Sequence, residues 1–180
     1  MLWKPGTILP PEKLTQGIIA SIMASLNPAQ VLALTAWAEA RSRFDGRKWV
    51  ANPIDAMGDI VNIVQNRNTV KPAIGLRGHC LAKAQFSCWA PLQGQANFHT
   101  LMERSQMLLA GTMPSGKLLG CLALAEGCLA GSMVDSLSGA THYYSPASMV
   151  PPGRVPPWAL PPAVLVDERH GHRFYNKVRW

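Results

Sequence analysis

The sequence predicts an α+β fold, with a mostly helical N-terminal part and a small C-terminal region of strands and loops. Apolar residues recur at helical spacing through the first 130 residues. Seven prolines then fall between Pro146 and Pro162 and exclude long helices there. The apolar and aromatic pieces AVLVD (163–167) and HRFYN (172–176) read as a pair of strands beside that stretch. A chain of 180 residues, 48% of them hydrophobic, is one domain's worth of polypeptide with a core to bury, and no internal repeat interrupts it.

In chain order, Leu14, Ile18, Ile22 and Leu26 recur every four residues and place one apolar helix face toward the core. Residues 1–26 therefore read as an N-terminal helical extension. Asn27 followed by Pro28 is a cap and first-turn pair, opening a second helix that runs to about Ser42. Asp55 to Gln65 reads as a third helix through Met57, Ile60, Val61 and Val64, with Asp55 as its N-cap. Asn97 to Ala110 and Lys117 to Ala130 read as two more.

Lys plus Arg outnumber Asp plus Glu by 17 to 10, which favours an anionic partner such as nucleic acid, a membrane surface or bacterial cell wall. The basic residues are scattered, with one tight group from Arg169 through Lys177 to Arg179, so no nucleic-acid-binding stripe is expected. Prolines at 5, 10 and 11 spoil the pattern of a signal peptide. The uncharged stretch 14–38 is long enough to span a bilayer, but Gln16, Asn27, Pro28 and Gln30 argue against stable membrane insertion. Cys80, Cys88, Cys121 and Cys128 lack CxxC or zinc-finger spacing and read as buried free thiols. Cys121 and Cys128 would stand about 10 Å apart along one helix, beyond disulfide reach.

Glu39 is the first charged residue after 25 uncharged ones. On a helix it shares a face with Leu32, Thr35 and Ala36. Desolvation there would raise its pKa and keep it protonated, as a general acid requires. The alternative is Arg43, four residues on, which could pair with Glu39 on a solvated face.

Four blocks tip the balance: AEAR (38–41), QFSCW (85–89), GATHYYSP (139–146) and HRFY (172–175). In this order they resemble the cell-wall hydrolase family typified by the catalytic domain of spore cortex-lytic enzymes, the SleB type, over roughly residues 31–175. The resemblance implies a lysozyme-like or lytic-transglycosylase-like fold. It places the catalytic glutamate on Glu39 and the substrate-binding blocks on Gln85, Phe86, Ser87 and Trp89, and on Thr141, His142, Tyr143 and Tyr144. For Phe86, Trp89 and Phe174 core packing competes with this role. Adjacent Tyr143 and Tyr144 would face opposite ways in an extended segment, one to a cleft and one to the core. Ser42 stands where the family has glycine, and an insertion, FDGRKWVANP, lengthens the path to Asn66-Arg67 and is expected to enlarge a loop at the cleft mouth.

The resemblance implies lytic transglycosylase chemistry on peptidoglycan glycan strands, at the β-1,4 bond between N-acetylmuramic acid and N-acetylglucosamine. One carboxyl serves as acid and then base, and neither metal nor cofactor is needed. A hydrolytic muramidase would add a second carboxylate, for which Asp45, Asp55, Asp59 and Asp135 are candidates, although Asp45 fits a turn. A zinc amidase or peptidase built on His142, Asp167, His170 and His172, or a non-catalytic wall-binding module, are the other readings. The sequence shows no export signal or wall-binding repeat, so the expected context is a phage lysin held in the host cytoplasm until released to the wall.

Overall fold

The central helix begins with a reciprocal cap. Asn27 Oδ1 accepts from the Gln30 backbone N–H at 2.9 Å, and Gln30 Oε1 accepts from the Asn27 N–H at 2.9 Å. Pro28 sits in the first helical position, where its missing N–H costs nothing. The computed structural model describes residues 3–40, 42–44, 47–82, 85–89, 96–112 and 116–179, with the backbone alone at 43, 44, 49, 96 and 97.

After a first helix α1 (Gln16–Ser25), α2 runs from Pro28 to Ala40 and is buried on all sides from Val31 to Ala36. That is the expected fate of a helix without a polar face. Helices α3 (Ile54–Val70), α4 (Gly75–Leu81), α5 (Ala96–Leu109) and α6 (Lys117–Leu129) all pack against it. Helix α6 turns Leu118, Cys121, Ala125 and Cys128 inward at helical spacing. Gly120 brings its backbone so near Ile54 that a Cβ there would lie 2.8 Å from the Ile54 Cδ1.

Thr15 caps α1, its side chain accepting from Ile18 N–H, and Ile18, Ile19, Ile22 and Leu26 join the main core together with Trp3. The segment read as an extension is thus part of that core. Gln106 of α5 pins the chain before α1 by accepting from Leu9 N–H at 2.7 Å and donating to Leu9 C=O at 3.3 Å. Among the described residues no single helix is long and apolar enough to cross a membrane; α1 and α2 meet at a 115° bend.

A two-stranded antiparallel ribbon, β1 (Ser42–Phe44) and β2 (Trp49–Ala51), follows α2. The C-terminal strands β3 (His142–Tyr144), β4 (Val164–Arg169) and β5 (His172–Asn176) form an antiparallel sheet in the order β3-β5-β4. One face of the sheet buries Phe174 against Ile63 of α3, Leu137 and Ala140, with Tyr143 alongside. Tyr144 and Tyr175 cluster with Ala159, Val178 and Trp158 on the other. The protein is therefore α+β, and the strands read from AVLVD and HRFYN do pair with each other.

Several boundaries differ from the sequence expectation. Helix α2 stops at Ala40, and Ser42 opens β1. The inserted segment supplies strand residues, Phe44 in β1 and Trp49–Ala51 in β2. Asp55 is not an N-cap: Pro53 holds that position in extended conformation, and Asp55 lies in the first turn, where its charge meets the positive helix end. Helix α3 continues five residues past Gln65, because Asn66 and Arg67 turn inward although they break the apolar pattern. Helix α4 is an element the apolar pattern did not predict. All four cysteines are free and buried. Arg41, Asp45 and the side chain of Arg43 lie outside the described residues.

Candidate active site

Glu39 occupies the last turn of α2, half-buried, where the helix emerges from the core. Its carboxylate meets three donors from two distant segments. Oε1 accepts from the Cys88 backbone N–H at 3.0 Å and from the Ser87 hydroxyl at 3.5 Å, the outer limit of a hydrogen bond. Oε2 accepts from the Tyr143 hydroxyl at 2.8 Å. Ser87 is itself exposed, so the carboxylate sits where buried structure meets solvent.

Helix α2 also builds the first of these segments. Thr35, one turn before Glu39, is fully buried; its hydroxyl donates to Val31 C=O at 2.7 Å and accepts the Trp89 indole N–H at 2.8 Å. This bond anchors the 3-10 turn Ser87–Trp89, where buried Cys88 and Trp89, with buried Phe86 just before them, leave Ser87 facing out. One helix thus carries the carboxylate and, four residues earlier, the anchor for two of its donors.

The second segment is β3. Tyr143 packs beside Phe86 (ring centroids 6.3 Å apart), edge-on to His172 (5.2 Å) and beside Phe174 (6.2 Å). Burial, reinforced by the negative charge of Glu39, pushes its phenol well above the ordinary value. Tyr143 therefore stays a neutral donor. Arg67 of α3 is only 3% exposed; its Nε donates to Thr141 C=O at 2.6 Å and its guanidinium lies 5.0 Å from the Phe86 ring centroid. Burial lowers its pKa to about 10, against the opposing pull of Tyr143, Cys80 and Glu39, so it remains cationic at neutral pH.

Of the residues expected to bind substrate, Ser87 and Tyr143 bond directly to Glu39. Phe86 and Trp89 line the same region as core side chains, and Gln85 is half-buried at the start of that turn. Thr141 is buried, with its hydroxyl 3.0 Å from His142 Nδ1. His142 and Tyr144 lie on the opposite sheet face from Tyr143, both against Trp158. Their pairing partners on β5, Tyr175 and Arg173, share that face. Burial lowers the His142 pKa to about 4.

Asp59 is 3% exposed and held by the Arg169 guanidinium, with His170 nearby. Asp135 accepts from Asn66, Leu137 N–H and Gly139 N–H, and so holds its own loop. Asp55 is exposed, and Asp45 lies outside the described residues. A cavity of about 420 Å³ borders Asp59, Asn62, Ser136, Arg169 and His170 and does not include Glu39. Among the described residues, no group of three or more His, Cys, Asp or Glu side chains gathers as a metal-binding cluster. His142, His170 and His172 instead turn to Trp158, Asp59 and Tyr143 respectively.

Thr35, Arg67 and the Cys88 backbone N–H shape the site although the sequence marks none of them as a site residue, and His172, read there as a candidate zinc ligand, packs edge-on to Tyr143 instead. Asn66-Arg67 was visible as a motif without a role, whereas a backbone donor leaves no residue-type signal. No protein-family model, curated protein or solved structure matches the chain.

Proposed function

We propose that the protein cleaves the β-1,4 bond between N-acetylmuramic acid and N-acetylglucosamine in peptidoglycan as a lytic transglycosylase, with Glu39 as its acid and base. The observation that carries this reading is the Glu39 carboxylate at the open end of a buried helix, oriented by Ser87, the Cys88 N–H and Tyr143. A carboxyl fixed by several donors yet open on one side can pass a proton to a ligand and take one back. The resemblance in four sequence blocks supplies the substrate class. A helical body with a small sheet, and an acid at a helix end, also fits a lysozyme-like domain.

In this mechanism Glu39 gives its proton to the glycosidic oxygen as the bond from that oxygen to the muramic acid C1 breaks. The sugar's own C6 hydroxyl oxygen bonds to C1, and its proton passes to the Glu39 carboxylate, which is thereby restored. No water is consumed and one carboxyl suffices. Tyr143 and the Cys88 N–H hold the carboxylate in place and stabilise its charge between the two transfers. Asp59 and Asp135, two of the four candidate second carboxylates, are committed to Arg169 and to the loop at 135–139, which supports a reading with a single catalytic carboxyl. The net charge of +7 favours adsorption to anionic wall polymers, in keeping with a lysin that acts at the wall.

Mass spectrometry of digested, purified peptidoglycan tests the reading. Anhydromuramyl-ended fragments are expected. Ordinary reducing muramic acid ends would reassign the protein as a hydrolase, and cut peptides with intact glycan strands would reassign it as an amidase or peptidase.

A further inference from the structure

We propose that Arg67 is a positioning residue, a clamp that holds together the two segments supplying every described donor to Glu39. Its Nε–H fixes the Thr141 carbonyl at 2.6 Å, two residues before Tyr143. Its guanidinium covers the ring of Phe86, the residue immediately before Ser87 and Cys88. One side chain thus touches both arms of the Glu39 cradle while contributing no described hydrogen bond to the carboxylate.

The surroundings make the clamp rigid. Asn66, the preceding residue on α3, donates to Ala140 C=O at 3.0 Å and to Asp135 Oδ1 at 3.2 Å, so consecutive helix residues secure consecutive carbonyls at the entry to β3. Thr141 N–H donates to Tyr175 C=O at 2.9 Å, which ties the same point to β5. Burying a guanidinium is costly, and the fold offsets part of that cost through a charge-assisted hydrogen bond and a cation–π contact that a shorter or apolar residue lacks. Lysine is no substitute: a single ammonium cannot both meet the carbonyl and cover the ring.

The consequence for turnover rests on the reading of Glu39 as the acid; the clamp itself does not. Loss of the clamp lets Tyr143 and the Ser87–Trp89 turn drift, and misplacement of about 1 Å can cost on the order of 10²-fold in rate. The test compares wild type with Arg67→Met, Arg67→Lys, Tyr143→Phe and the double variant Arg67→Met/Tyr143→Phe. Two readouts are used: turnover of purified peptidoglycan and residue-resolved amide hydrogen exchange.

Arg67→Met and Arg67→Lys should both lower kcat about 10- to 100-fold with KM little changed. Exchange should rise at 86–89 and 141–144 while α2 and α6 stay protected. Because Arg67 acts in part through Tyr143, adding Arg67→Met to Tyr143→Phe should cost less than it does alone. Fully additive losses, or wild-type kcat in Arg67→Lys, would overturn the clamp. Should Arg67→Met fail to fold, Arg67→Lys carries the same comparisons. If the wild type does not cut peptidoglycan, the functional reading fails, and exchange still decides this one: increased exchange confined to those two segments supports the clamp, and unchanged exchange there refutes it.

Discussion

His172 should make the fold sensitive to mild acid, and replacing it with phenylalanine should remove that sensitivity. The residue is 5% exposed, its ring lies edge-on to Tyr143 and near Phe174, and its Nδ1 has no hydrogen-bond partner. Burial lowers its pKa from 6.5 to about 4, with a smaller contribution from His170. A histidine depressed in the folded state lends stability that is fully present above pH 6.5 and is lost as the pH falls toward 4, because the unfolded chain takes up the proton first. With those two values the loss is about 2 kcal/mol by pH 5 and about 3 kcal/mol by pH 4. His172→Phe keeps an aromatic ring among aromatic neighbours and removes a buried nitrogen without a partner. Urea denaturation of both proteins at pH 7, 6 and 5 gives the comparison. The stability of the variant relative to wild type should grow by about 2 kcal/mol between pH 7 and 5, or roughly 4–8 °C in Tm for a chain of this size. His142, depressed by burial in the same direction, titrates in both proteins and cancels in the difference. A difference that stays constant from pH 7 to pH 5 would refute the assignment of a buried neutral imidazole at 172.

Thr35→Val keeps the side-chain shape but leaves the Trp89 indole N–H buried without its acceptor; thermal or urea unfolding should show a loss of about 1–3 kcal/mol, with slower turnover as the Ser87–Trp89 turn loosens. Arg169→Met strands the buried Asp59 carboxylate. The expected cost near pH 7 is about 2–3 kcal/mol, below that of a fully buried pair because Arg169 is one-third exposed. That cost should shrink on acidification, since burial raises the Asp59 pKa and the group can then protonate; denaturation curves at pH 7 and pH 4.5 measure both values. Adsorption to purified walls should weaken as salt rises, because a Debye length of about 10 Å at 0.1 M screens the attraction of a chain of charge +7. A pull-down across salt concentrations reads this directly.

Local patterning makes α2 legible, since its cap and uncharged run both lie within a few residues, and the same holds for the β4–β5 pair. The strands Ser42–Phe44 and Trp49–Ala51 are only three residues each, too short for alternation to register. In α4, a seven-residue helix with two glycines offers little periodicity. Glu39 stood out because a lone carboxylate ended an apolar run, but its partners lie 49 and 104 residues away and come from packing rather than local pattern. Tyr143 and Tyr144 show the division clearly. Strand geometry places adjacent side chains on opposite faces, yet only the register of β3 on β5 and its docking against α3 determine which tyrosine meets Glu39. Arg67 was obscured because it continues a helix beyond the end of its apolar pattern.

Release of soluble muropeptides from purified peptidoglycan by folded Glu39→Gln protein tests the catalytic assignment most directly. Glutamine keeps an oxygen that can accept from the Cys88 N–H or the Tyr143 hydroxyl, so the cradle should hold and the unfolding curve should stay close to wild type. It cannot donate a proton as an acid, so the rate should fall by about 10²- to 10⁴-fold or more. That fall corresponds to roughly 3–5 kcal/mol of barrier at about 1.36 kcal/mol per tenfold. A folded Glu39→Gln protein that releases muropeptides at the wild-type rate would contradict the assignment of Glu39 as the catalytic acid.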